Sequence, residues 1–216
     1  MNTYSDSAFV PVAEAAYLAD LTDRQLQRTM DEKILAAPLV TTVGGRRFAK
    51  LAIVLAKFYF GFERNLTADA RREVIELITK QLKDRPDLLS LDGTDVREGW
   101  TIALPDVQVN LNTTIMAVQE KMNKLALAQR KIKQDVSTMG GAPVFEGTRV
   151  PIDAVLSMKK SGSDLVEIKQ HYPGVTADHI SAAEIFREVN PKRGRPSGDV
   201  RSSWVVISTK KIAKKK

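Results

Sequence analysis

The run Pro191-Lys192-Arg193-Gly194-Arg195-Pro196 sets two guanidinium groups on either side of a glycine, between prolines. An extended Arg-Gly-Arg core suits a narrow A·T-rich minor groove. The glycine lets the backbone approach the groove floor, the guanidiniums enter its enhanced negative potential, and proline keeps the chain extended. This is the AT-hook pattern, and it makes Lys192, Arg193, Gly194, Arg195 and Pro196 candidate DNA contacts. A second set lies near the N-terminus, where Arg24, Gln25, Gln27 and Arg28 fall on the outward side of a helical pattern. Arginine offers paired donors to guanine and a glutamine amide can pair with adenine in a major groove. Arg46 and Arg47, just after Gly44-Gly45, would meet phosphates beside it.

Catalytic chemistry has little to draw on. There is no cysteine, and the two histidines, His171 and His179, are separated by eight positions with Pro173-Gly174 between them. That is not the i, i+4 spacing of a helical metal pair, so each reads as a surface or helix-end histidine. Thr42-Val43-Gly44-Gly45 and Met139-Gly140-Gly141 lack the Lys-Ser/Thr pair of a phosphate loop. Asp92 and Asp95 sit beside a turn glycine, where aspartate is expected for turn chemistry alone. A metal-dependent nuclease built from scattered acids is the enzymatic rival, and it needs a convergence that linear order does not display. No catalytic, cofactor-binding or metal-binding residue is therefore expected.

Charge separates one end from the rest. The 216 residues carry 33 basic against 26 acidic side chains, and 191–216 hold nine basic residues against Asp199. The first 190 residues are thus close to neutral, and attraction to a polyanion or an acidic protein is concentrated in the tail. The alternative for this end is a solvated basic segment. No apolar run reaches the length of a membrane span, because Leu51 to Phe62 is cut by Lys57. The opening residues show neither a basic stretch nor an apolar core of a secretion signal, and the expectation is a cytoplasmic protein with no membrane association.

Periodicity divides the chain into units that must position these residues. In 1–66, Pro11 starts a helix, Thr22 caps a second with Gln25 at capping-box spacing, and Leu26, Met30 and Ile34 form its buried face. Leu39 to Val43 and Arg46 to Phe48 read as strands joined by a two-residue Gly44-Gly45 turn, followed by a buried helix from Leu51 to Phe62. In 67–135, Thr67 caps a helix burying Val74, Leu77, Ile78 and Leu82. Short strands are expected over Leu88 to Leu91, Trp100 to Leu104 and Val107 to Leu111, then a long helix from about Thr114 to Lys133. In 136–190, an extended Pro143-Val144-Phe145 precedes three short helices beginning at Pro151, Ser163 and Thr176, with the layout of a homeodomain. The last helix displays Asp178, Glu184 and Glu188, which repel phosphate. Its face of Ile180, Ala183, Phe186 and Val189 packs inward or against a partner. Residues 191–216 form the basic tail, with an apolar strand-like run from Ser203 to Ser208. The fold class is mainly α with small β elements, an α+β protein.

The stretch Met139-Gly140-Gly141-Ala142-Pro143-Val144-Phe145-Glu146-Gly147-Thr148-Arg149-Val150-Pro151 resembles the small VapB-type antitoxin domain. Leu165-Val166-Glu167-Ile168, Tyr172-Pro173 and Ile180-Ser181-Ala182-Ala183 continue the likeness. Residues 8–66 are similar to the MerR-like winged helix-turn-helix found joined to it, with Arg46-Arg47-Phe48 before an apolar helix. These resemblances imply a DNA-binding antitoxin of a type II toxin–antitoxin pair, without catalytic activity. It would neutralise a PIN-like ribonuclease from a neighbouring gene and repress its own operon, as a homodimer or a higher toxin–antitoxin assembly on operator DNA. In that setting Trp204, Val205, Val206 and Ile207 would add to an edge of the toxin's sheet, while Arg201, Lys210 or Lys211 reach its carboxylates. The alternative for the apolar run is packing on the chain's own middle strands, and the alternative function is a stand-alone transcription regulator.

Overall fold

Small local signals set the N-terminal elements. In the computed structural model, which describes residues 8–91, 100–105, 107–136 and 139–192, strand β1 (Phe9–Pro11) runs into helix α1 (Val12–Ala19). Pro11 is the N-cap of α1, as its fixed φ suggests, but it also ends a strand. Asp20 then takes a left-handed conformation at φ 57°, closing α1 and turning the chain within two residues into α2 (Asp23–Asp31). Thr22 caps α2 in a full capping box with Gln25. Leu26 and Ile34 are buried on its inner side, and Met30 is partly so.

Strands β2 (Val40–Thr41) and β3 (Arg47–Ala49) pair antiparallel, Val40 with Phe48 and Thr41 with Arg47. The connection is longer than a two-residue turn: the amide of Gly45 donates to the carbonyl of Thr42 at 3.1 Å, and five residues separate the strands. Gly44 and Gly45 both have positive φ, 71° and 109°, which glycine adopts without steric cost. β1 joins the outer edge of β3, giving the order β1-β3-β2, a third strand that periodicity over three residues could not announce. Helix α3 (Lys50–Gly61) follows, and its residues Leu51 to Ala56, Phe58 and Tyr59 are all buried.

Helix α4 (Ala68–Gln81) is capped by the Thr67 hydroxyl and held to α3 by Arg71. This arginine is 7% exposed, lies over the Tyr59 ring at 4.3 Å and donates to the Tyr59 carbonyl. The expected strand at Leu88 to Leu91 is instead a 3-10 turn, Pro86–Leu89. Pro86 presets its first φ, and Leu88, Leu89 and Leu91 are all buried, so the segment has no alternation for a sheet to use. Strands β4 (Thr101–Ala103) and β5 (Gln108–Asn110) form the expected hairpin. Helix α5 (Asn112–Arg130) ends short of Lys133, since Ile132–Lys133 become strand β6, paired with β7 (Val144–Phe145).

Three helices complete the described chain: α6 (Ile152–Lys160), α7 (Leu165–His171) and α8 (Ala177–Val189). The cap of α7 is Asp164, one residue beyond Ser163, because its carboxylate accepts the Glu167 amide at 2.8 Å and Glu167 returns the bond. Phe145, Ile152, Val155, Ile168, Val175 and Ile180 make a core of their own. A larger core spans α1, α3, α4 and α5. Helix α8 bridges the two, packing on α5, α6 and α1. Ile180, Ala183 and Val189 are thereby buried within this chain, with Phe186 partly buried beside them. Among the described residues the protein is mainly helical, with eight α-helices and three small antiparallel sheets.

Candidate functional site

The exposed face of α2 follows from its capping. With Thr22 fixing the first turn and Leu26 and Thr29 buried, Arg24, Gln27 and Arg28 are left in solvent. They line an open hollow together with Gln25, Asp31 and Glu32. Gln25 is half-buried and largely committed: its Oε1 accepts from both the amide and the hydroxyl of Thr22, each at 2.9 Å. A side-chain carbonyl has two lone pairs, so Gln25 retains only its NH2 for an outside ligand, and base pairing through both ends of an amide falls to Gln27.

The arginines around this face are paired to different degrees. Arg28 meets Glu32 at 2.6 Å and Arg46 meets Asp31 at 2.9 Å, both in solvent. Arg46 thus ties the β2–β3 hairpin to the end of α2. Arg47 turns the other way and donates to the Phe9 carbonyl at 2.7 Å in a part-buried setting, where it supports the β1–β3 pairing. Arg24 makes no ion pair among the described residues. The structure therefore gathers Arg24, Gln27, Arg28 and Arg46 on one exposed side and assigns Gln25 and Arg47 to internal bonds.

Asp20 fixes this unit to the rest of the molecule. Its carboxylate receives Lys57 of α3 at 2.5 Å and Lys121 of α5, and the same two ammonium groups reach the carbonyls of Ala19 and Tyr17 at 3.3 and 2.8 Å. Burial works to raise the Asp20 carboxyl, but the bonds and charge of Lys121 and Lys57 outweigh it and hold the group below the usual carboxylate range. Lysines at a helix C-terminus also satisfy its orphan carbonyls and oppose the negative end of its dipole.

Of the tail, the described chain includes only Pro191 and Lys192, and the Lys192 ammonium lies 3.3 Å from Asp153, the carboxylate that Arg187 also grips. Arg193, Gly194, Arg195 and Pro196, and the expected toxin contacts Arg201, Trp204, Val205, Val206, Ile207, Lys210 and Lys211, lie outside the described residues. His179 does sit at a helix start, its Nδ1 accepting from the Thr176 amide at 3.3 Å and its ring 5.2 Å from Phe145. No three His, Asp or Glu side chains gather as a metal site among the described residues, and no described helix is long and apolar enough to cross a membrane.

One feature escaped the sequence reading. A cleft of about 580 Å³ opens between β1, α1 and the start of α3 on one side and α5 on the other. Glu14 and Lys50 supply its charges, and Gln119, Asn123 and Gln129 its amides. Burial pushes the Glu14 carboxyl upward against the opposing charges of Lys50 and Arg47. The available signal was a single acid within the otherwise apolar run Val12 to Ala19.

Comparison with known proteins defines the class first. Residues 132–186 match the family described as Protein of unknown function (DUF433), so the hairpin β6–β7 and helices α6 to most of α8 constitute a DUF433 domain. The chain as a whole is 30% identical over 206 residues to the Uncharacterized protein y4eO of Sinorhizobium fredii (strain NBRC 101917 / NGR234), covering 94% of this chain and 92% of the relative. It belongs to the same family as that protein. The X-ray crystal structure of Rv2018 from Mycobacterium tuberculosis is similar at 17% identity with a TM-score of 0.34, over 84% of this chain and 98% of that one.

Proposed function

We propose that this protein is a cytoplasmic DNA-binding antitoxin of a type II toxin–antitoxin pair, repressing its own operon and neutralising a PIN-like ribonuclease from the neighbouring gene. The carrying observation is the exposed row Arg24, Gln27 and Arg28 on a capped helix that follows another across the three-residue connection Asp20 to Thr22 and is tied to a glycine-tipped hairpin. In this reading α1 and α2 are the helix-turn-helix of a MerR-like winged unit, α2 enters the major groove, and the β2–β3 hairpin is the wing. The Arg28–Glu32 and Arg46–Asp31 pairs do not oppose it. Exposed pairs contribute only about 0–1 kcal/mol, so a phosphate can replace the carboxylate at little cost.

The acids beside that row set a condition. Residues 1–66 carry eight basic and seven acidic side chains, which gives little general affinity for a polyanion. A homodimer on two half-sites and the Lys192-Arg193-Gly194-Arg195-Pro196 hook would supply the rest. The antitoxin half is supported by the DUF433 domain, whose sequence resembles VapB-type antitoxins, and by the polarity of the tail. There, Trp204 to Ile207 would dock on the toxin and Arg201, Lys210 and Lys211 would reach its acidic centre.

The test is fluorescence anisotropy on the protein's own promoter across a salt series, with pull-down of the neighbouring gene product. Arg24→Ala with Gln27→Ala should abolish sequence preference, and Arg193→Ala with Arg195→Ala should lower the salt slope by about two. Deleting residues 199–216 should release the ribonuclease. Promoter binding without any co-purifying partner would replace this reading with a stand-alone regulator, and no preference for the promoter over random duplex would overturn both.

A further inference from the structure

A groove of about 270 Å³ lies between α5 and α8. The two helices run antiparallel, since Lys131, just past the end of α5, meets Asp178 at the start of α8 at 3.4 Å. Small side chains form its floor: Ala128 and Ala182 are buried, with Ser181 and Ile185 beside them. Leu127 stands on the rim and is 56% exposed. A leucine is thus held in water next to a hollow floored by alanine, which puts a knob and a hole on one face. The charges of the rim are already satisfied within the chain. Lys124 pairs with Glu120 at 2.6 Å and Lys131 with Asp178, so the groove offers no surplus charge to select an acidic or a basic partner. A partner with an apolar knob and an equally neutral rim fits it, and a second copy of this chain brings both.

We propose that α5 and α8 form a homodimer interface, with Leu127 of each copy seated in the groove of the other. In a twofold contact residue i meets j and j meets i, so a side chain that seats beside its own counterpart lies near the axis. Leu127 lines the same groove that it fills in the mate, and the axis therefore passes close to it. The alanine floor lets the facing helices approach closely, because interaxial distance is set by the side chains at the contact. The 19 residues of α5 and 13 of α8 are roughly 28 and 20 Å long. Side by side at about 9 Å spacing they give a footprint of roughly 400 Å² per copy, the scale of a reversible dimer rather than an obligate one. The inference rests on the operator reading only in giving its homodimer a surface, and the contact itself involves neither α2 nor DNA.

Sedimentation equilibrium of the full chain without DNA, over a concentration series, should show a monomer–dimer equilibrium. Leu127→Arg forces an unpaired charge into each groove and should weaken dimerisation about tenfold or more, with an unchanged circular dichroism spectrum because the position is exposed. Ser181→Trp, at an exposed position of α8, fills the groove from the opposite helix and serves if Leu127→Arg fails to fold. The chain has no cysteine, so Leu127→Cys gives one thiol per copy, which a short bismaleimide should bridge into a covalent dimer. Val43→Cys, on the exposed tip of the β2–β3 hairpin, should bridge far less. Arg24→Ala with Gln27→Ala should dimerise like the wild type, so loss of the dimer and loss of promoter preference are read separately. A monomer at every concentration, a dimer unaffected by both groove variants, or bridging by Leu127→Cys no greater than by Val43→Cys would each overturn the proposal. Labelling of Leu127→Cys only after removal of residues 199–216 would also overturn it, giving the groove to the chain's own tail.

Discussion

Arg187→Met tests the ion pair that joins α6 to α8. The guanidinium grips Asp153 through two bonds, Nε at 2.8 Å and Nη2 at 2.7 Å, with the two side chains only 21% and 30% exposed. Methionine keeps the aliphatic stem and removes the fork. Two charge-assisted bonds at about 1.5–3 kcal/mol each set an upper bound. The desolvation of both groups offsets part of this, and Lys192 at 3.3 Å keeps some compensation on the stranded carboxylate. The expected loss is about 2 kcal/mol, a fall in Tm of roughly 4–8 °C for a chain of this size. A double-mutant cycle with Asp153→Asn, read by urea denaturation, should return a coupling of about 1–2 kcal/mol.

The sign of the pH dependence follows from the carboxylate. Burial raises the Asp153 carboxyl, but the Arg187 bonds and charge, with Lys192, outweigh it and hold it below the ordinary range. A depressed folded-state pKa means stability that is present above the unfolded value of about 3.9 and is lost as pH falls through the folded value. The gap between wild type and Arg187→Met should therefore close as the medium is acidified below about pH 4. A coupling under about 0.5 kcal/mol, or a gap that stays constant down to pH 2.5, would refute the reasoning.

Three further expectations concern single features. Asp20→Asn keeps a side chain that tolerates the left-handed turn but removes the charge between Lys57 and Lys121. Since that carboxylate is more than half exposed, the cost is about 1 kcal/mol, and an unaltered urea midpoint would count against the staple. Thr22→Ala deletes the cap of α2, should cost about 1 kcal/mol, and should weaken promoter binding beyond that by loosening the exposed row; intact binding would show that the row does not depend on the cap. Phe145→Ala empties a fully buried site at the centre of the DUF433 core and should cost about 3–5 kcal/mol by thermal denaturation, whereas a loss under about 1 kcal/mol would mean that this core collapses freely.

Short-range chemistry made much of the fold legible in the sequence. Thr22 with Gln25, Thr67 and Thr176 announced three helix starts, because a hydroxyl three residues before a free amide is a local event that needs no distant partner. The buried run of α3 and the β4–β5 hairpin were likewise written in composition and period. Failures came where the partner lies far along the chain. β1 exists only because β3 is there to pair with it. Ile132–Lys133 leave the helical pattern because Val144–Phe145 offer a ladder, and Leu88 to Leu91 fold as a turn that buries Leu88, Leu89 and Leu91 together.

The site divides along the same line. Sequence alone determined that Arg24, Gln27 and Arg28 face outward on α2, since helical period fixes that once Leu26 is inside, though not that the capping box draws Gln25 half inside, and it determined the charge of the tail. Only the tertiary structure decided what each charge does. It spends Arg47 on the Phe9 carbonyl, sets Arg46 against Asp31, locks Asp20 between two lysines from helices 37 and 101 residues away, and opens a cleft beside Glu14. Periodicity orients a residue about its own element, whereas pairing and cavities depend on the packing of elements against one another, which no local pattern contains.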